Sequence, residues 1–190
     1  MPAEKDSMIS HEHKCVFVHQ RKCAGTSIMK SFGYTPDDNN WHYMNNGVLC
    51  REFHDRPLDY LVFSVVRNPW DRFISGWLYC KNTRYRSLRQ VLQHLPQTDH
   101  DYEHITRLQS DILFEGCGNL ITHNLLKFEH LQQDWDVLSS LIAKEPTTLP
   151  VENKTPLKTK HYREYFESAV DRDLFLRHFA KDVDTFEYEF

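Results

Sequence analysis

A three-layer α/β sandwich around a mostly parallel sheet is predicted for this 190-residue chain by three features. Short apolar, β-branched runs recur as candidate buried strands, helical segments alternate with them, and no internal repeat or low-complexity linker interrupts the alternation. The length suits one domain with a single core, expected over residues 15–190 after a polar tail of residues 1–14. With 12 Phe, 9 Tyr and 4 Trp, the chain has enough apolar surface to offset the entropy of ordering it.

The first expected strand is Cys15-Val-Phe-Val-His19, which runs into Gln20-Arg-Lys-Cys-Ala-Gly25 and then a helix entered through Thr26 and Ser27. Residues 33–46 form a turn-rich excursion with Pro36 and four Asn. Tyr60-Leu-Val-Phe-Ser-Val-Val66 is the clearest strand. It ends at Arg67-Asn-Pro69, where Pro69 suits the first turn of a helix reaching about Lys81. A helix is expected from Tyr85 to Leu95, and a third strand over His123-Asn-Leu-Leu-Lys-Phe128. The next helix, Glu129 to Lys144, carries Leu131, Trp135, Leu138, Leu141 and Ile142 on its apolar face and stops at Pro146 and Pro150. Two helical segments close the chain, the second carrying Val170, Leu174, Phe175, Phe179 and Val183.

A formal charge of −4 excludes a protein that coats nucleic acid by bulk positive charge, and leaves room for a local anion pocket. No run approaches the roughly 20 apolar residues of a membrane span. Residues 1–14 lack the apolar stretch of a secretory signal. Five widely spread cysteines without a CxxC pair suit reduced thiols. Cytoplasmic location is the expectation, with neither nucleic acid nor membrane as partner.

Two segments carry phosphate-binding chemistry. At a strand-loop-helix junction, backbone N–H groups and the helix dipole favour an anion. Arg21-Lys-Cys-Ala-Gly-Thr-Ser27 occupies such a junction. Ala24 and Gly25 keep that loop slim, Thr26 and Ser27 add hydroxyls, and Lys22 brings a mobile charge. An ordinary N-capped helix behind a basic loop is the bland alternative. The second strand also ends in a cation, Arg67, with Ser75 about two turns into the helix that follows, and a guanidinium fork matches phosphate oxygens. Arg72 reads as structural or surface charge.

Together, His19-x-x-Lys-Cys-Ala-Gly-Thr-Ser27 and Val66-Arg-Asn-Pro-Trp-Asp-Arg-Phe-Ile-Ser75 resemble the 5′-phosphosulfate loop and the 3′-phosphate motif of the PAPS-dependent sulfotransferases, in the family 2 branch that includes carbohydrate sulfotransferases. The likeness extends in order through His104 to Gln109, Lys127-Phe-Glu-His-Leu131 with Asp134-Trp135, Asn153-Lys-Thr155, Phe179-Ala-x-Asp182 and Phe186-x-Tyr188-x-Phe190. It departs at Arg21 and Leu108, where the family commonly has Pro, and at Glu187, where Gly is common. The resemblance implies a P-loop-like nucleotide-binding fold and transfer of a sulfuryl group from 3′-phosphoadenosine 5′-phosphosulfate (PAPS), leaving PAP, to a saccharide or small-molecule acceptor. Arg21, Lys22, Cys23, Ala24, Gly25, Thr26, Ser27, Arg67, Ser75, Asn153 and Lys154 are the expected donor-binding residues.

Such a transfer needs a base on the acceptor and a cation on the leaving oxygen. Lys22 is the expected cation. His42, in Trp41-His42-Tyr43, resembles the histidine that family 2 members place before the second strand, and it is the first candidate for the base. His104 is the second and His54, near Asp55, the third. Glu129 is expected to orient its strand and helix. Acceptor specificity is expected in residues 33–57 and 83–119, where Trp41, Tyr43, Tyr85 and Tyr102 are candidates to stack on an acceptor or to cover the core.

A Walker-type kinase is excluded because Lys22 precedes Gly25. Cys15 and Arg21 match a Cys-x5-Arg spacing, but the residues between read as strand and cannot wrap a phosphate. His11-Glu-His13 and His100-x3-His104 lack a third ligand in sequence, so no metal is expected. The non-enzyme alternative is a domain that binds a phosphoadenosine nucleotide or sulfated glycan, which would keep Arg67 and Ser75 but need neither Lys22 nor a base.

Overall fold

A computed structural model describes residues 7–33, 60–114, 119–122, 124–145, 147–152 and 155–190. In chain order these form β1 (Ser7–Ser10), β2 (Cys15–Val18), α1 (Gly25–Ser31), β3 (Leu61–Val66), α2 (Pro69–Tyr79), α3 (Leu88–Gln93), α4 (Gln109–Leu113), β4 (Asn124–Lys127), α5 (Leu131–Leu141) and α6 (Ala169–Thr185). The chain divides into two compact units, residues 1–66 with 112–153 and residues 67–111 with 154–190, and each has its own apolar cluster.

The first unit is built on a sheet of order β1-β2-β3-β4. β2 pairs in parallel with β3, setting Phe17 opposite Phe63, and β3 in parallel with β4, setting Val65 opposite Leu126. The three strands expected from apolar runs are therefore present, in a mostly parallel α/β arrangement. β1 is an addition. Residues 7–10, read as polar tail, pair antiparallel with β2, because Met8 and Ile9 are the apolar pair of that segment and both become buried. On one sheet face Phe17 stacks on Phe63 at 5.1 Å, and Trp135 of α5 meets Phe32 edge-on at 5.7 Å. Val16, Val18 and Ser64 on the opposite face are also fully buried, as expected for parallel strands. Leu141 departs from the expected apolar face and is 65 % exposed. At 100° per residue the buried set is Trp135, Leu138 and Ile142, and Leu141 falls beside it.

The second unit is organised by α2. Asn68 caps it, accepting hydrogen bonds from the Trp70 and Asp71 N–H groups, and Pro69 opens its first turn where no N–H is needed. Trp70 stacks on Phe175 of α6 at 3.9 Å, with Phe73, Phe166 and Phe179 closing the cluster. The helix expected from residue 85 is shorter, because Ser87 and Gln90 form a capping box that starts α3 at Leu88. Of the two expected C-terminal helices, the first is a single 3-10 turn, Tyr162–Glu164. On α6, Val170 is 54 % exposed, and Asp171, Phe175, Phe179 and Asp182 take the buried positions. Residues 99–106, for which no element was expected, form a short helical turn running into the π-helical turn Tyr102–Thr106. α2 lies against this turn at Gly76, where a Cβ would meet the His104 carbonyl oxygen at 2.2 Å, so only glycine permits the approach.

Candidate functional site

In the first unit, the loop between β2 and α1 turns sharply enough to hold Lys22 and Ala24 in left-handed backbone conformations, with φ of 67° and 59°. For non-glycine residues this costs about 1–3 kcal/mol each and persists only where surrounding structure enforces it, as at ligand clamps. The helix expected to enter through Thr26 and Ser27 begins at Gly25. Its cap is Ala24, with no side-chain cap bond. Gly25 also makes room for a neighbouring ring. A Cβ there would lie 2.0 Å from His19 Nε2, so the imidazole packs over the glycine. Cys23 points into the core at 0 % exposure, its Sγ donating to the Arg21 carbonyl at 3.6 Å, so this position contributes packing and backbone. Ser27 is buried as well, whereas Arg21, Lys22, Ala24 and Thr26 are half-buried. Cys15 lies within β2, and burial pushes its thiol up to about 12, which removes it as a nucleophile.

In the second unit, Arg67 follows directly on β3. Its backbone is clamped by Gln109, whose Oε1 accepts from the Arg67 N–H at 2.9 Å and whose Nε2 donates to the Arg67 carbonyl at 2.9 Å. Asp182 holds Gln109 in turn, accepting from the Gln109 and Ser110 N–H groups at 2.7 and 2.9 Å. The Arg67 guanidinium donates to Asp71 Oδ2 from Nε at 2.9 Å and from an Nη at 2.6 Å, and Lys158 Nζ donates to Asp71 Oδ1. Two cations thus share one carboxylate, leaving a net positive charge of one for an anion. One turn further along α2, on the face that carries Asp71, Ser75 Oγ lies 3.2 Å from Thr155 Oγ1. Arg72 is a structural residue: it is buried, and its guanidinium donates to the Arg107 and Glu103 carbonyls.

Burial pushes the Asp71 carboxyl upward, but Arg67 and Lys158 outweigh it and hold the group below the usual carboxylate range. A carboxyl depressed in the fold contributes stability above its unfolded pKa and loses that contribution as pH falls through the folded value. The urea midpoint is therefore expected to fall on acidification below about pH 5, and Asp71→Asn to flatten that fall. An unaltered slope in the variant would remove Asp71 from the account.

His104 sits in the π-helical turn, 8 % exposed, with Nδ1 at 2.8 Å from the His100 carbonyl and its ring against both His100 at 4.0 Å and Tyr79 at 5.1 Å, which also face each other. His42, His54, Asn153 and Lys154 lie outside the described residues. Sequence reasoning did not single out Lys158 or Asp71, and it gave Gln109 and Asp182 no role. The available signal for Lys158 was its place in the polar stretch three residues after Thr155.

A family model described as the sulfotransferase family matches residues 5–189. No curated protein and no solved structure matches the chain.

Proposed function

The chain belongs to the sulfotransferase family, and on that premise we propose that it transfers the sulfuryl group of PAPS to a hydroxyl, less readily an amine, of a saccharide or small-molecule acceptor. The observation that carries this reading is the match over residues 5–189 together with the strained Lys22–Ala24 turn inside it.

Each unit has a donor set of its own for an anion. In the first unit, the turn at residues 21–25 offers backbone N–H groups at a helix start, with Lys22, Thr26 and Ser27, for the 5′-phosphosulfate. In the second, Arg67, Ser75, Thr155 and Lys158 offer two cations and two hydroxyls for the 3′-phosphate. Asn153 and Lys154 are assigned to the donor by their resemblance to the family's late loop.

When bound, the donor supplies a sulfur whose bond to the bridging oxygen breaks as its bond to the acceptor oxygen forms. Lys22 stabilises the charge on the departing oxygen. His42 removes the acceptor proton; His104 is the second candidate for that step, its Nδ1 already committed to a carbonyl. Among the described residues no helix is long and apolar enough to cross a membrane. Among the described residues Cys15, Cys23 and Cys80 are in no disulfide.

Calorimetry with PAP, followed by a mass-spectrometric screen for a sulfo group on a broad acceptor panel, tests the proposal. Binding and transfer are expected, with the acidic limb of the pH–rate profile lost in His42→Ala. Binding without transfer to any acceptor would favour a non-catalytic module. Loss of the limb in His104→Ala alone would move the base.

A further inference from the structure

At the end of α2, the chain brings a thiol to the two histidines that in sequence lacked a third ligand. Cys80, His100 and His104 each present one donor atom within 4.8 Å of the other two, with Cys80 and His104 buried and His100 exposed. From these residues the geometry points to a binding site for a divalent zinc ion, with Cys80 Sγ and the His100 and His104 imidazoles as ligands and the fourth position toward solvent on the His100 side.

Three observations carry the assignment. A thiolate with two imidazoles is a borderline-soft donor set that suits zinc. Cys80 Sγ stands 4.0 Å from His100 Nδ1. Zinc–sulfur and zinc–nitrogen bonds of about 2.3 and 2.0 Å in a tetrahedron require about 3.5 Å, so this pair is about half an ångström too wide, and the widest pair of the three, at up to 4.8 Å, must close by about 1 Å. Most telling is the outer partner of His104. A carbonyl oxygen only accepts, so the 2.8 Å bond to the His100 carbonyl makes Nδ1 the protonated nitrogen and leaves the Nε2 lone pair to ligate, the arrangement that orients metal-bound histidines.

Asp101 Oδ1 lies 3.2 Å from His100 Nδ1, and its Oδ2 accepts from Asn82 Nδ2 at 3.0 Å. A ligating Nδ1 carries no proton, so zinc binding there replaces the Asp101 contact. His100 and His104 are four residues apart across the helical turn and stack at 4.0 Å with ring planes 25° apart, so the exposed His100 ring turns out of the stack to aim its lone pair at an ion shared with His104, whereas Cys80 comes from a different element 20 residues earlier. A zinc ion here ties the end of α2 to the turn at residues 99–106, the segment leading to Gln109 and so to the Arg67 backbone. The assignment stands apart from the sulfotransferase chemistry and reserves the base role for His42.

Cobalt(II) titration of the purified full chain, followed by optical absorption and competition with zinc, tests the site. One cobalt per chain with a thiolate-to-cobalt charge-transfer band is expected. Cys80→Ser removes the band, His100→Ala weakens binding at least about tenfold, and His13→Ala leaves both unchanged. Zinc is expected to raise the thermal midpoint of the unaltered chain and not that of Cys80→Ser. If Cys80→Ser does not fold, the exposed substitution His100→Ala carries the test. Absence of the band in the unaltered chain, its persistence in Cys80→Ser, or full affinity in His100→Ala would overturn the proposal.

Discussion

Lys22→Ala is expected to lower turnover by about 10²–10³-fold while leaving affinity for PAP within a few-fold of the unaltered chain, the signature of a charge contact that matters most as the leaving oxygen gains charge. The position supports this more than the residue type does. Most lysines are solvated surface charges, but Lys22 is half-buried and held at a φ of 67° in the turn before α1. Lys22→Arg keeps the charge but not its point-like geometry, and partial recovery is expected. Steady-state rates beside calorimetric PAP affinities separate the outcomes. Equal losses in both would recast Lys22 as a donor-binding residue, and unchanged turnover would end its catalytic assignment.

Asp182→Ala should destabilise the fold more than Lys22→Ala or Asp71→Asn, lowering the unfolding free energy by about 3 kcal/mol or more. Asp182 is 0 % exposed, and its two oxygens receive the Gln109 and Ser110 N–H groups. Removing the carboxylate leaves two buried donors unmatched, each costing about 1–3 kcal/mol. The effect should extend to function, because Gln109 holds both backbone polar groups of Arg67. PAP affinity should therefore fall in Asp182→Ala even at temperatures where the variant stays folded. Asp182→Asn, which retains one acceptor oxygen, should lie between the two. Urea unfolding measures the first effect, and a midpoint matching that of the unaltered chain would refute the clamp.

Legibility varied along the chain for physical reasons. β2 and β3 were readable because they are apolar runs broken only by Ser64, the pattern that burial on both faces imposes, whereas β4, Asn124–Lys127, was readable from its Leu125–Leu126 pair alone. The Pro69 helix start was readable because caps are chemistry between close neighbours in sequence, whereas α1 starts at Gly25 without the hydroxyl cap that Thr26 and Ser27 suggested. β1 was not readable, since its two apolar residues sit among polar ones and gain order only by pairing with β2. Leu141 and Val170, expected among the apolar residues of their helices, are exposed. On α6 the buried face includes two aspartates, Asp171 and Asp182, whose partners lie on other elements.

By itself the sequence determined the strand-loop-helix units, the two basic segments at 21–27 and 67–75 and the family they resemble, all of which rest on short-range spacing. Tertiary structure alone decided what those motifs work with. Gln109 reaches Arg67 across 42 residues, Asp182 reaches Gln109 across 73, and Lys158 reaches Asp71 across 87. The third donor beside His100 and His104 arrives from Cys80, 20 residues upstream. No local period encodes such pairs. Packing the apolar faces of α2, α6 and the π-helical turn brings the polar groups on them within bonding distance, and buried polar groups must then find partners there.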